Sequence, residues 1–216
     1  MNTYEKRDKT IQIVLVVLSL TAVLVFAGAA VGLYLALTNW GTGTKNVDVS
    51  ALELPDWVEV DLLPVNPYSR PDIPLEQINA VVIHYVGNPN TTAKANRNYF
   101  ASLANGTGTS ASSHFIVGLE GEVVQCVPLT EVAYASNQRN SDTVSIEVCH
   151  PDETGKFSDV TYGRVVELTA WLCESLALHP EEDVIRHYDV TGKHCPRYYV
   201  EHPEAWEQFL KDVGQG

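Results

Sequence analysis

Positive charge is scarce in this chain. Its 216 residues carry 14 lysines and arginines against 27 aspartates and glutamates, a formal net charge of −13. Lys6, Arg7 and Lys9 outnumber Glu5 and Asp8 in the first ten residues, so everything after them sums to −14. Phosphate-backbone binding needs a basic face, and this shortage excludes nucleic acid as a partner. Internal repeats and low-complexity tracts are also lacking, which excludes a solenoid or a biased tail. Charged residues overall are only 19% and hydrophobic residues 45%, so wholesale disorder is excluded and a globular core is expected.

Charge is absent altogether from Thr10 to Thr44. Within that span, Ile11 to Leu37 is rich in Val, Leu and Ala and long enough to cross the roughly 30 Å hydrocarbon layer as a helix. Lys6, Arg7 and Lys9 lie just before it, and the positive-inside rule keeps that end in the cytoplasm. The expected organisation is a cytoplasmic tail over residues 1–10, a transmembrane helix over 11–37, an extracytoplasmic linker over 38–65 and a folded domain over 66–216. Ala27-Gly28-Ala29 resembles a signal-peptide cleavage site, but apolar sequence continues through Val31, Leu33, Leu35 and Leu37. Either way the domain is exported: held at the cell membrane by a single pass, or secreted if cleaved near Ala29.

The linker begins with Gly41-Thr42-Gly43-Thr44, a flexible composition. Pro55, Pro64, Pro67, Pro71 and Pro74 exclude long helices after it. Trp57, Val58, Leu62 and Leu63 are apolar enough to pack onto the domain surface. From Asn79 the pattern becomes mixed α and β. Ala80 to Tyr85 reads as a buried strand. Thr91 or Thr92 caps a helix reaching about Leu103, with Tyr99 and Phe100 inward. Phe115–Val117 and Val123–Val127 form a hairpin-like pair around Glu120-Gly121, and Val144–Val148 is another strand. Val160 to about Leu178 is a long helix with Val165, Leu168, Leu172 and Leu176 as its core stripe. Val184-Ile185 is a short strand, and Pro203 to Val213 is a closing helix with Trp206 and Phe209 inward. The expected fold class is α/β, a central mixed β-sheet flanked by helices, preceded by one N-terminal transmembrane helix.

The most informative stretch is Arg186-His187-Tyr188-Asp189-Val190-Thr191-Gly192-Lys193-His194-Cys195-Pro196. It sets an imidazole and a thiol eight positions apart across a Thr-Gly turn. His84, at the end of an apolar strand, supplies a third donor. Two histidines and a cysteine make a zinc set that leaves one position open for water, as catalytic sites do, and zinc lowers the pKa of that water towards ~7. Spacing by itself leaves open a buried histidine beside an unrelated cysteine. Ser145-Ile146-Glu147-Val148 puts a carboxylate inside an apolar strand, where it is costly without a partner. Beside an activated water, Glu147 would serve as general base. Lys193 would stabilise a developing oxyanion. His114 hydrogen-bonds substrate, supports the site from behind, or is a satisfied structural histidine; the sequence leaves all three open. Asp189 either braces its turn or orients a ligand. Cys126, Cys149 and Cys173 remain; at most one pair can form among them, and Cys149 with Cys173 is the preferred one, three buried thiols being the alternative.

Together, Val-Val-Ile-His84-Tyr, Ser-Ser-His114-Phe-Ile-Val, Ser-Ile-Glu147-Val and His187-Tyr-Asp-Val-Thr-Gly-Lys193-His-Cys195-Pro resemble the zinc-dependent N-acetylmuramoyl-L-alanine amidases of type 2. That group includes phage-type lysins and peptidoglycan recognition proteins. The resemblance runs from about Asn66 to Val213. It implies one zinc ion held by His84, His187 and Cys195, and hydrolysis of the amide between N-acetylmuramic acid and L-alanine of the peptidoglycan stem peptide. Some relatives carry a tyrosine where this chain has Ser113, which assigns proton transfer here to Glu147. A loop that often reads Ala-Trp-His-Ala-Gly is Val132-Ala133-Tyr134-Ala135-Ser136 here, and Tyr134 is expected to shape the substrate groove. The resulting expectation is a membrane-anchored bacterial cell-wall hydrolase with a monomeric ectodomain. Two rivals remain: a non-catalytic peptidoglycan receptor on the same fold, and a structural zinc domain. The latter needs a fourth protein ligand, for which His150 or His194 are the candidates.

Overall fold

In the computed structural model, residues 47–216 are described, apart from residue 107. Six strands form one sheet: β1 (Val58–Val60), β2 (Ala80–Tyr85), β3 (Phe115–Val117), β4 (Val123–Gln125), β5 (Thr143–Val148) and β6 (Val184–Arg186). Their order is β1-β4-β3-β5-β2-β6. Only β3 and β4 run antiparallel, as the hairpin around Gly121 requires; every other pair is parallel. The mixed sheet of the sequence expectation is therefore present. Parallel strands need crossovers and end up covered on both faces, which explains why the central strands β2 and β5 read as nearly continuous apolar runs.

Six helices supply that cover: α1 (Ala93–Ser102), α2 (Asp159–Leu176), α3 (Pro180–Asp183), α4 (His187–Thr191), α5 (Arg197–Glu201) and α6 (Pro203–Val213). The Thr92 hydroxyl caps α1 by accepting from Ala95 N–H at 3.2 Å, and Ser158 caps α2 through Thr161 N–H at 3.2 Å. The α2 stripe of Val165, Leu168, Leu172 and Leu176 is buried as expected. So are Trp206 and Phe209 on α6. Tyr99, expected inward on α1, is exposed; its neighbour Phe100 faces the core instead. Adjacent helix positions point about 100° apart, so both could not share one narrow face.

Strand alternation divides the core in two. Val81 and Ile83 of β2, Phe115 and Val117 of β3, and Val144, Ile146 and Val148 of β5 pack with α2 and α6. The opposite face gathers Leu63, Val86, Phe100, Ile116, Val124 and Cys149 under α1. Two sequence expectations are corrected here. Residues 58–63, read as linker, belong to the fold: β1 pairs with β4, and Leu63 is fully buried. The preferred Cys149–Cys173 disulfide is not formed; all four cysteines are free. Cys149 lies in the α1-side cluster and Cys173 in the α2-side cluster, so the sheet itself separates them.

The expected tail 1–10 and transmembrane helix 11–37 lie outside the described residues. Among the described residues no helix is long and apolar enough to cross a membrane.

Candidate metal centre

The alternation that buries Ile83 and Ile146 on one face turns His84 and Glu147 to the other. The two are direct partners in the β2–β5 register, and Ile116 of β3 follows Glu147 in the same row. Backbone pairing alone therefore sets a carboxylate beside an imidazole, about 4.8 Å away from strand to strand.

The other two donors arrive from the far end of the chain. β6 pairs with β2, and His187 opens α4 immediately after it. Asp189 accepts from Arg186 N–H at 2.8 Å and also pairs with the Arg186 guanidinium, so it braces the turn rather than orienting a ligand. Gly192 ends α4 in the left-handed conformation at φ 75°, which glycine adopts without a Cβ penalty. Tyr188 N–H then donates to the Cys195 carbonyl at 2.9 Å, folding Cys195 back beside His187.

The result is a buried triad. The donor atoms of His84, His187 and Cys195 all lie within 4.8 Å of one another. Cys195 Sγ is 3.9 Å from His84 Nδ1, and the two imidazole centroids are 4.5 Å apart. His84 Nε2 meets Ser136 Oγ at 3.2 Å, and His187 Nε2 meets Asn137 Oδ1 at 2.8 Å. An amide oxygen only accepts, so His187 Nε2 carries the proton and Nδ1 holds a free lone pair. That Nδ1 is buried with no hydrogen-bond partner. A buried orphan acceptor is rare in a folded protein; a cation held by the triad would satisfy it. The donor set of two neutral imidazoles and one thiol suits zinc, and no fourth protein donor joins it among the described residues. His150 is used up by the Val86 and Asp152 carbonyls, both at 2.7 Å, and His194 is exposed beside Glu201.

Electrostatics fit the same reading. Burial, with His187 and Lys193 nearby, pushes His84 well below the usual histidine range, and burial with Lys193 also lowers His187. Both rings are neutral, as ligation requires. Burial lifts the Cys195 thiol to about 12, with the Glu147 charge adding to it. Burial also raises Glu147 to about 8, opposed by the Lys193 cation. Glu147 Oε2 is buried without a partner. Without a cation the pocket thus retains its protons on Glu147 and Cys195; a dication reverses that preference.

Lys193 is exposed on the loop between the two late donors, and its charge reaches His84, His187, Glu147 and Cys195. His114 is elsewhere engaged: its Nδ1 accepts from Ser145 N–H at 3.0 Å and its Nε2 donates to the Glu131 carbonyl at 2.9 Å. It is 1% exposed with both ring nitrogens engaged, so of the alternatives left open by the sequence the structural histidine fits, and substrate contact does not. Tyr134 is half-buried in the loop before Ser136, with its backbone N–H on Ser112 Oγ at 2.9 Å. The contacts of Ser136 and Asn137 with the two imidazoles were not readable from the sequence. Both residues are about fifty residues from the histidines they touch, and no spacing rule links a loop serine or asparagine to either.

A mixed sheet carrying three convergent side chains able to hold a metal, beside a buried carboxylate, has the donor set and neighbouring acid–base group that metal-assisted hydrolysis uses. Residues 74–198 match the family described as N-acetylmuramoyl-L-alanine amidase. The chain is 31% identical over 171 residues to N-acetylmuramoyl-L-alanine amidase BlyA of Bacillus subtilis (strain 168), covering 70% of this chain and 45% of that protein. It is also 31% identical over 162 residues to N-acetylmuramoyl-L-alanine amidase CwlL of Bacillus licheniformis, covering 69% and 44%. The catalytic domain of XlyA superposes with a TM-score of 0.60 at 23% identity, over 72% of this chain and 98% of that one. This chain belongs to the N-acetylmuramoyl-L-alanine amidase family. It spans under half the length of these two relatives.

Proposed function

We propose that the protein is a zinc-dependent N-acetylmuramoyl-L-alanine amidase, held at the outer face of a bacterial cell membrane by residues 11–37, with residues 1–10 in the cytoplasm. The observation that carries the catalytic reading is the convergence of His84, His187 and Cys195 around an unpartnered His187 Nδ1, with Glu147 in the adjoining strand.

Zinc would be held by His84 Nδ1, His187 Nδ1 and Cys195 Sγ. When bound, it supplies a Lewis acid that polarises a carbonyl and makes water nucleophilic at neutral pH. The protein's own groups do the rest. Glu147 accepts the proton of the attacking water through its carboxylate and later delivers it to the departing L-alanine nitrogen. Lys193, whose charge already reaches the donors and Glu147, offsets the developing negative charge. Ser136 and Asn137 keep both imidazoles aimed. Tyr134, in the loop leading to them, borders the groove where the stem peptide lies.

Support against a receptor without turnover comes from the joint presence of Cys195 and Glu147, since a pure binding surface needs neither a thiolate donor nor a desolvated carboxylate. The acidic ectodomain and its exported position fit a wall substrate rather than a polyanion.

The test is mass spectrometry of purified peptidoglycan digested with the full chain, with and without chelator. Free stem peptides beginning with L-alanine, appearing only when zinc is present, are the expected products. Intact lactyl-peptide linkages after digestion would remove the amidase assignment.

A further inference from the structure

The structure points to Ser136 and Asn137 as a two-residue pincer that sets the tautomer of both histidine donors, and we propose that this loop is what makes the triad a preformed metal site. The inference rests on the zinc reading above and concerns only how this chain prepares the site.

Both imidazoles face a problem that side-chain packing cannot solve. A neutral ring carries its proton on either nitrogen, and only the bare nitrogen ligates. In the triad the inward nitrogen is Nδ1 for both rings: His84 Nδ1 faces Cys195 Sγ, and His187 Nδ1 is the buried orphan. Each Nε2 must therefore keep a proton, which requires an acceptor on the outer side. Consecutive residues supply both acceptors, Ser136 Oγ at 3.2 Å and Asn137 Oδ1 at 2.8 Å.

The loop is built to hold them there. Asn140 Oδ1 accepts from Ala135 N–H at 3.1 Å and from Ser136 N–H at 2.6 Å, pinning the serine backbone. Asn137 adopts φ 54°, a left-handed conformation that asparagine tolerates better than most residues. Gln138 Nε2 donates to the Val190 carbonyl at 2.9 Å, tying the loop directly to the helix that presents His187. Arg139 pairs with Asp142, and its carbonyl accepts from Thr143 Oγ1 at the start of β5. One short segment is thus anchored to α4 and β5 while contacting donors that are 103 positions apart in sequence. Outer hydrogen bonds of this kind fix ring orientation and raise donor basicity. Ser136 and Asn137 are positioning residues, acting through the two imidazoles they touch.

The test compares wild type, Asn137→Gly, Asn137→Asp and Ser136→Ala as full-length chains. Glycine keeps the left-handed backbone and removes the acceptor; aspartate keeps an oxygen at the same place. Two readouts are taken: zinc affinity by competition with a chromophoric chelator, and ring tautomers of the metal-free chain by long-range 1H–15N spectra. The wild type and Asn137→Asp should show His187 protonated on Nε2. Asn137→Gly should show a tautomer mixture and zinc affinity lowered about 10–100-fold, with Asn137→Asp restoring it. Ser136→Ala should shift His84 in the same way. Unchanged tautomers and unchanged affinity in Asn137→Gly and Ser136→Ala would overturn the inference, as would Asn137→Asp binding as weakly as Asn137→Gly. Ser136→Ala removes one hydroxyl only and keeps the test sound if the glycine variant folds poorly. Should the wild type bind no zinc, the zinc reading fails, and the tautomer spectra alone still decide whether the pincer holds the rings.

Discussion

Glu147 is a carboxylate inside a sheet, with one oxygen buried and unpartnered and its acidity suppressed to about 8. Such an arrangement costs stability, so it persists where function uses it. Replacing it with glutamine keeps the shape and removes the base. Glu147→Gln is expected to retain zinc by elemental analysis while its turnover on peptidoglycan fragments falls at least about a hundredfold; near-normal turnover would take Glu147 out of the mechanism. His114 gives a second prediction at this scale. Burial lowers its pKa from 6.5 to about 4. A histidine depressed in the folded state contributes stability that is complete above pH 6.5 and lost as pH falls towards 4. The span corresponds to about 3 kcal/mol. Denaturant titrations across that range should show a slope in the wild type that is shallower in His114→Asn. The three donor residues were legible in the sequence, because His187 and Cys195 share one local motif and His84 ends an apolar strand. For His114 the sequence leaves the structural reading as one of three, because the bond from Ser145 N–H that decides it depends on strand register that no local pattern encodes.

Elements explain why the rest of the site was hidden. The long helix α2 and the central strands were readable because periodicity reports burial directly. β1 was not: three residues among prolines carry no period, and only pairing with β4 makes them a strand. Leu63, just beyond β1, is fully buried in the α1-side core. Leu63→Ala is therefore expected to cost about 2–5 kcal/mol in urea unfolding, whereas a linker leucine would cost almost nothing. The disulfide expectation failed for the same kind of reason. Sequence places Cys149 at a strand end and Cys173 on a covering helix, but which face the helix covers is a matter of crossover direction. The structure puts α2 on the face that Cys149 does not occupy. The loop over residues 136–139 is short, polar and irregular, yet Ser136 and Asn137 touch two donors; its importance lies wholly in tertiary contacts.

For the whole molecule, fold and chemistry come from one device. A sheet with different contents on its two faces gives one face to an apolar core under α2 and α6. The other face takes a packed region under α1 and, at the ends of β2 and β5, the metal centre. The two late donors follow β6, whose pairing with β2 brings them beside His84, so the site depends on long-range contacts of the folded chain. Metal affinity and folding are then linked. The most direct measurement is zinc K-edge X-ray absorption on the purified chain, together with metal stoichiometry. The account predicts one zinc per chain, with two nitrogen neighbours at about 2.0–2.1 Å and one sulfur at about 2.3 Å, plus a light-atom solvent neighbour. A chain that stays metal-free in zinc-replete buffer, or a zinc with no sulfur neighbour, would contradict it.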